Sequence, residues 1–155
     1  MLENQMESDK MIEISEADFP ELPEIAALER EIFPDAWSLK SLEETWKQKN
    51  VAIFVAKTKE GMAGYLIFYY VLEEGEIARI ATAHSVRRQG AASQMFRKLL
   101  DFCREQKITR IMLEVRENNE AARQFYGKCG FTKDGIRRNY YENPKENAVL
   151  MSVNL

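Results

Sequence analysis

The sequence predicts a single α/β domain built on one mixed sheet, mostly antiparallel, with helices on both faces. Its 155 residues are the length of one domain. Stretches with helical periodicity alternate with short runs rich in β-branched and aromatic residues. Near the middle, a strand, a long helix and another strand follow one another, and such a crossover is right-handed and joins parallel strands. These observations predict one parallel pair within the sheet.

The first part of the chain predicts a strand and then two helices. The strand is expected at residues 11–14. Apolar residues spaced three or four apart line one face of the first helix: Leu22, Ile25, Leu28 and Ile32. Ser38 is a good N-cap for the second helix. The inner face of that helix is predicted to carry three residues: Leu39, Leu42 and Trp46.

The rest of the chain alternates between strands and helices. Short turns follow two predicted strands, residues 51–56 and 65–72, which should be antiparallel neighbours. A further strand is predicted at residues 76–81. The later elements are predicted in this order: a helix at residues 90–106, a strand at 108–115, a helix at 119–128, and strands at 130–136 and 148–153. The helix at 90–106 is the crossover that should make its two flanking strands parallel.

Composition excludes several classes of protein. The net charge of −3 gives no general attraction to nucleic acid or to an anionic membrane, and no apolar run approaches the roughly 20 residues that span a bilayer. Two cysteines, Cys103 and Cys129, are too few for a disulfide framework, and a single histidine, His84, disfavours a histidine metal site. We expect a loose extension at residues 1–10, a domain at 11–155, and a cytoplasmic monomer.

The segment before the predicted long helix suits a phosphate group. The helix should begin at Gly90, so that free backbone N–H groups and the positive end of the helix dipole point to one spot. Ala91 and Ala92 are small enough for close approach to the main chain, while Arg87 and Arg88 add positive charge. A solvated basic loop explains the same residues equally well. The Rossmann and P-loop patterns are absent.

Three later residues are candidates for chemistry. Glu114 interrupts an apolar strand, and a buried carboxylate is costly unless it is used or paired. Pairing with a nearby arginine, or a position at the strand end in water, is the simpler explanation. Asn119 and Tyr126 are seven residues apart and therefore share one helix face. Tyrosine is also common as core filling, and asparagine as a helix cap.

Taken in order, these motifs resemble the GNAT acetyltransferase superfamily. Its pattern [QR]-x-x-G-x-[GA] matches six consecutive residues: Arg87, Arg88, Gln89, Gly90, Ala91 and Ala92. Further matches make the chain similar, from residue 12 onward, to the bacterial ribosomal-protein-alanine N-acetyltransferases. They are Leu113-Glu114-Val115-Arg116, Asn119, Tyr126, Gly130-Phe131 and Arg137-Arg138-Asn139-Tyr140-Tyr141.

The resemblance implies acetyl-CoA as co-substrate and no metal. In this family the parallel central strands splay apart, and the pantetheine arm pairs with the main chain of the first of them. The pyrophosphate lies on the loop and helix start that follow. The implied cofactor-binding residues are Ile80, Ala81, Thr82, Arg87, Arg88, Gln89, Gly90, Ala91, Ala92, Ser93 and Asn119.

The resemblance also implies roles in catalysis. Glu114 would be the general base that takes a proton from the incoming α-ammonium through a water, and Tyr126 the general acid for the coenzyme A thiolate. An α-amine with a pKa of about 7.7–8.0 is within reach of such a base near neutral pH. Arg137, Tyr140 and Tyr141 would flank the groove for the acceptor peptide. A turn with solvated arginines is the alternative interpretation of that stretch.

The expected function is acetylation of the N-terminal alanine amine of a small-subunit ribosomal protein. The alternative within the same chemistry is another amine: a lysine side chain, a polyamine or a small metabolite. A regulatory module that only binds coenzyme A or a nucleotide would need neither Glu114 nor Tyr126. An RNA-associated protein is disfavoured by the net acidic charge. The expected partners are therefore acetyl-CoA and the N-terminal peptide, with no membrane and no direct nucleic-acid contact.

Overall fold

A computed structural model of the chain describes residues 11–84 and 90–155. Within them, seven strands form one sheet in the order β1-β2-β3-β4-β5-β7-β6. The strands are β1 (Glu13–Glu16), β2 (Val51–Thr58), β3 (Gly61–Val71), β4 (Glu74–Thr82), β5 (Arg110–Arg116), β6 (Thr132–Tyr141) and β7 (Glu146–Asn154). Only β4 and β5 pair in parallel among these neighbours. The predicted mixed sheet with one parallel central pair is confirmed.

Four α-helices are described, and they lie on both faces of the sheet as predicted. They are α1 (Leu22–Ile32), α2 (Leu39–Trp46), α3 (Ala91–Gln106) and α4 (Glu120–Lys128), with a 3₁₀ turn at Phe19–Glu21 before α1. Ser38 caps α2, as its side chain accepts a hydrogen bond from the backbone N–H of Ser41. The start of α2 is thus set locally, by a residue that satisfies an N–H group of the first turn.

Two apolar cores sandwich the middle of the sheet. The core beneath α1 and α2 is built around Leu22, Ile25, Leu42, Tyr65 and Ile67. The core beneath α3 and α4 is built around Phe54, Leu66, Phe68, Met95, Leu99 and Ile111. Because successive side chains of a strand point to opposite faces, β3 contributes to both cores and is buried along most of its length.

The parallel pair of strands is incomplete. β4 and β5 pair from Glu74 opposite Arg110 to Ile77 opposite Leu113, and beyond that point they separate. Each strand keeps its other neighbour: β4 remains paired with β3, and β5 with β7. The splayed pair that the family resemblance implied is therefore present, and it opens the sheet at one end.

A bulge in β4 lies where the two strands separate. Ile67 and Phe68 of β3 face Arg79 and Ile77 of β4, so Ala78 is an extra residue on β4. A bulge bends its strand and increases the local twist. This irregularity accompanies the separation of β4 from β5.

Some element boundaries differ from the sequence prediction. β1 begins two residues later than expected, and β6 continues to Tyr141 instead of ending at residue 136. Trp46 does not face the core: it is 40% exposed. Its ring stands edge-on to Phe19 with centroids 5.3 Å apart, and its indole N–H donates to the carbonyl of Ala17 at 3.3 Å. The last turn of α2 therefore places Trp46 on the 3₁₀ turn, while the neighbouring Thr45 is buried and forms a hydrogen bond with the Tyr69 hydroxyl of β3 at 3.3 Å.

Candidate active site

The separated strand ends open into a cleft of about 420 Å³. Its walls come from β4 beyond the bulge, the end of β5, one face of α4 and the segment that follows α1. Asn119, Ala122 and Tyr126 all line it. The prediction that Asn119 and Tyr126 share a helix face is thereby confirmed, and that face is turned toward the cleft.

Glu114 lies on β5, just beyond the last residue paired with β4. Its neighbours Leu113 and Val115 point into the core beneath α3 and α4, so its own side chain points to the opposite face of the sheet. Within the described residues, the core beneath α1 and α2 includes no residue of β5. The Glu114 side chain is not enclosed: it keeps 21% of its surface exposed and lines the cleft.

Charged and polar side chains of β6 approach Glu114. Arg137 places a guanidinium nitrogen 3.5 Å from its carboxylate. A hydrogen bond to Glu114 and the charge of that carboxylate raise the pKa of the Tyr140 phenol. The arginine pairing considered as the simpler explanation for Glu114 is present, and it coexists with a position in the cleft.

Tyr126 is a buried tyrosine that lines the first cleft. Only 7% of the residue is exposed, and its ring packs edge-on to Phe125 and Phe131. Its hydroxyl has no hydrogen-bond partner within residues 11–84 and 90–155. Burial, with smaller contributions from Cys129 and Tyr141, raises the pKa of this phenol. The hydroxyl therefore carries its proton at neutral pH and can donate it.

A second cleft, of about 510 Å³, adjoins the first. The two share six residues: Asp35, Ile77, Ala78, Arg79, Glu114 and Tyr141. Four carboxylates line the second cleft: Asp35, Glu76, Glu114 and Glu142. Partial desolvation and the charge of Glu114 raise the pKa of Glu76, against the influence of Arg137. This side of the site is acidic and suits a cationic group.

Two of the three residues predicted to flank an acceptor line this second cleft, and the third lies beside one of them. Tyr140 and Tyr141 line it, and the guanidinium of Arg137 lies 5.0 Å from the centre of the Tyr140 ring. All three belong to strand β6, so the alternative interpretation as a turn is wrong. Burial and the nearby Glu114 carboxylate raise the pKa of Tyr141 to about 12.

The predicted pantetheine segment lies on β4 beyond the bulge. Ile80, Ala81 and Thr82 pair with β3 on one side only, because β5 has moved away on the other. The Ala81 side chain is buried beneath α1 and α2, whereas Ile80 lines the cleft. Main-chain groups on the free edge of such a strand are available to another extended group.

The predicted pyrophosphate segment is described only in part. Arg87, Arg88 and Gln89 lie outside the described residues. Gly90 precedes α3 with a φ of 85°, a left-handed conformation that favours glycine. It provides no side-chain cap, so the N–H groups of the first turn, Ala91, Ala92 and Ser93, have no capping partner there. Ala91 is buried in the core, which fixes the start of the helix.

Asn119 combines two of the interpretations that the sequence left open. Its side-chain oxygen accepts a hydrogen bond from the backbone N–H of Ala122 at 3.2 Å and so caps α4. The cap uses the oxygen and not the amide N–H groups. Since the residue also lines the cleft, those N–H groups lie where a bound ligand would meet them.

A charged pair beside the cleft was missed by sequence reasoning. Glu29 of α1 is fully buried and bonds to Arg79 of β4. A signal was present: Glu29 follows Leu22 and Ile25 by seven and four residues, so it falls on the apolar face of its helix. A carboxylate at such a position indicates a buried partner.

A metal-binding cluster and a membrane-spanning helix are both absent from the described residues. Residues 11–84 and 90–155 contain no cluster of three or more histidine, cysteine, aspartate or glutamate side chains that could hold a metal ion. No helix in the same part of the chain has the length and apolar character needed to cross a membrane.

Comparison of the sequence with known protein families identifies the family of this chain. The sequence profile of the Acetyltransferase (GNAT) family matches residues 22–131, and the chain belongs to this family. It is an acetyl-CoA-dependent N-acetyltransferase.

The chain is similar to several individual acetyltransferases. The [ribosomal protein bS18]-alanine N-acetyltransferase of Haemophilus influenzae is 31% identical, over 92% of this chain and 97% of the relative. The crystal structure of the ribosomal-protein-S18-alanine N-acetyltransferase from Escherichia coli has a TM-score of 0.86 at 29% identity, covering 93% of this chain and 94% of that one. Arabidopsis thaliana NAA60 in complex with acetyl-CoA has a TM-score of 0.85 at 13% identity, covering 94% and 99%, and this likeness is one of fold alone.

Proposed function

We propose that this enzyme acetylates the N-terminal alanine amine of a small-subunit ribosomal protein. One observation carries the proposal: the separation of β4 from β5 gives a single cleft that Glu114 enters from a strand and Tyr126 from a helix. A candidate base on β5 and a candidate acid on α4 thus line the same cleft. The acceptor is suggested by the relatives from Haemophilus influenzae and Escherichia coli, which are named for alanine acetylation on a ribosomal protein.

The free edge of β4 supports a binding mode for acetyl-CoA. We propose that the pantetheine arm pairs with the main chain at Ile80, Ala81 and Thr82 as an additional strand would. The pyrophosphate would lie on the first turn of α3, at Gly90, Ala91, Ala92 and Ser93, with Arg87, Arg88 and Gln89 beside it. The amide N–H groups of Asn119 would donate to the pantetheine arm.

The chemistry of the two central side chains is complementary. Acetyl-CoA supplies the acetyl group as a thioester. Glu114 would accept the proton of the α-ammonium, through a water, so that the amine lone pair can attack. Tyr126 would donate its proton to the sulfur as the carbon–sulfur bond breaks, and the second proton lost from the nitrogen would return through water to the phenolate. Burial raises the pKa of this phenol, so the hydroxyl remains protonated throughout the neutral range and has a proton to donate.

The acidic second cleft supports a cationic acceptor. An α-ammonium entering beside Glu76 and Glu114 would be attracted before it is deprotonated. Arg137, Tyr140 and Tyr141 would border the peptide that follows it. The same carboxylates would also attract a lysine side chain or a polyamine, so the second candidate function is acetylation of such an amine.

The test compares two peptides that differ only in which amine is free. One begins with alanine and lacks lysine; the other has a blocked N-terminus and one lysine. Each is incubated with acetyl-CoA and the enzyme, and the mass gain is located by fragmentation. We expect acetylation of the alanine amine and little of the lysine. Acetylation of the lysine peptide alone would refute the proposed acceptor and favour the second candidate.

A further inference from the structure

Glu29 anchors a buried hydrogen-bond network beside the cleft. Its carboxylate accepts from the hydroxyl of Tyr65 at 2.5 Å, from the backbone N–H of Trp37 at 2.8 Å, and from Arg79 Nε at 2.9 Å. Burial and the bond to Glu29 raise the pKa of Tyr65, so its hydroxyl remains a donor. A fully buried carboxylate needs such partners, and here they come from three separate segments of the chain.

Arg79 extends this network to the segment between α1 and α2, residues 33–37. Its Nη2 donates to the carbonyl oxygen of Asp35 at 3.1 Å and lies 3.5 Å from the Asp35 carboxylate. Its guanidinium lies over the rings of Phe33, at 4.0 Å, and Trp37, at 5.5 Å. One side chain of β4 therefore bonds to Glu29 and also holds both ends of this segment.

The network lies where the sheet opens. Arg79 directly follows the bulge at Ala78, and it lines both clefts together with Asp35. Phe33 lines the first cleft, and Trp37 the second. Residues 33–37 contain no helix or strand of their own, so their shape depends on contacts with the sheet. This segment forms a wall of the space that Glu114 faces.

We propose that Glu29 and Arg79 are positioning residues that hold residues 33–37 as the wall of the acceptor pocket. Glu29 acts through that segment, and Arg79 acts through it while also lining both clefts. The inference rests on the proposed function in assigning the second cleft to the acceptor. A pair that only fastened α1 to the sheet would contribute to stability and would leave acceptor binding unchanged.

Steady-state kinetics of Arg79→Lys test this role. Lysine keeps the positive charge for Glu29 but lacks the planar group that bonds to two partners and stacks on Phe33. We expect the KM for the alanine peptide to rise about tenfold, the equivalent of one charge-assisted hydrogen bond. The KM for acetyl-CoA should stay within about twofold, because the cofactor would bind the main chain of β4.

Arg110→Lys is the matched control. Arg110 lies at the other end of β5, and its ion pairs with Glu74 and Asp134 are both 3.9 Å long and partly exposed. Its replacement should change neither KM. An equal rise in both KM values for Arg79→Lys would overturn the acceptor assignment, as would an unchanged acceptor KM with a lowered unfolding midpoint.

Tryptophan fluorescence tests the positioning of residues 33–37 without any substrate. The chain has two tryptophans, so Trp46→Phe leaves Trp37 as the single emitter. In that background Arg79→Lys and Glu29→Gln should both shift the Trp37 emission to longer wavelength, as the segment becomes more solvated. Unchanged emission in both variants would overturn the proposal.

The two measurements separate this inference from the proposed function. If the wild type fails to acetylate the alanine peptide, the proposed acceptor is wrong, and the kinetic comparison is made with the amine that it does acetylate. The emission shift, together with a selective rise in the KM for that amine, would still support positioning by Glu29 and Arg79. Loss of either result would contradict it.

Discussion

The two halves of the β4–β5 pair have opposite properties although they belong to the same strands. In the paired half, Gly75, Ile77, Ile111 and Leu113 are buried, and the strands hydrogen-bond to each other. In the separated half, Ala81 and Val115 are still buried, but Ala78, Arg79, Ile80 and Glu114 are only partly buried, and the main-chain edges face a cleft. The paired half is core, and the separated half is the candidate site.

The difference shows how one sheet can be both scaffold and binding surface. Backbone N–H and C=O groups must be satisfied by another strand, by water or by a ligand. β3 and β7 hold the two separated ends in place, so the gap between them need not be closed by the protein itself. Such a gap is suited to an extended ligand that supplies the missing hydrogen bonds.

Among substitutions in the two halves, the largest expected effect is on catalysis, from changes in and around the separated half. Glu114→Gln and Tyr126→Phe should each lower kcat by about 10²–10⁴, the usual contribution of a positioned base or acid. Both changes keep the size of the side chain, so the unfolding midpoint should be nearly unchanged. Glu120→Gln, at an exposed carboxylate of α4, is the control. A normal kcat in either variant would remove that residue from the mechanism.

In the paired half, the corresponding effect should be on stability. A Cβ at residue 75 would overlap the ring of Phe68, so Gly75→Ala should lower the free energy of unfolding by about 1–3 kcal/mol, the usual cost of overpacking. Gly135→Ala is the control, since a Cβ there meets nothing within 4 Å. Urea titration provides both values. Equal stability of the two variants would show that the paired half tolerates expansion.

Substitution of Asn119 should affect both stability and cofactor binding, because the residue caps α4 and also lines the cleft. Asn119→Ala should lose about 1 kcal/mol of stability with the helix cap. Asn119→Ser should restore the cap but not the amide N–H groups. If those groups bind acetyl-CoA, its KM should remain about 2- to 12-fold higher in the serine variant, the value of one hydrogen bond. A normal KM would limit Asn119 to the cap.

The smallest expected effect is the pH dependence of Glu76. A carboxyl whose pKa is raised in the folded protein opposes folding when ionised, so its cost is present at neutral pH and disappears below its ordinary pKa of 4.5. Glu76→Gln should therefore raise stability at pH 7, by no more than about 0.5 kcal/mol because the residue is exposed to solvent. Thermal unfolding at pH 7 and pH 4 checks this. A lower stability of the variant at pH 7 would contradict the direction of the pKa shift.

Much of the fold was predictable because it is encoded locally. Spacing of apolar residues located α1, Ser38 located the start of α2, and the strand–helix–strand order gave the parallel pair. The position of β7 between β5 and β6 was not predictable in this way, since it depends on contacts between distant segments. Trp46 was misplaced for the same reason: helical periodicity does not specify what each face meets.

The candidate site was predictable as a set of residues but not as a geometry. The motif around Glu114 and the spacing of Asn119 and Tyr126 identified residues that line one cleft. The local sequence does not predict the bulge at Ala78, because a bulge is one extra residue on a strand relative to its partner strand. The link from Glu29 to Arg79 spans fifty residues of chain, and only the position of Glu29 on an apolar helix face hinted at it.

Hydrogen exchange with and without acetyl-CoA tests the central claim most directly, because it reports on main-chain N–H groups in both halves of β4. The account predicts that acetyl-CoA protects those amides of residues 78–82 that are not already bonded to β3, and the amides of the first turn of α3, at residues 90–93. The amides of residues 74–77, already paired with β5 or β3, should be unaffected. Protection spread equally over both halves of β4, or absent from residues 78–82, would contradict the proposal that the separated strand end receives the cofactor.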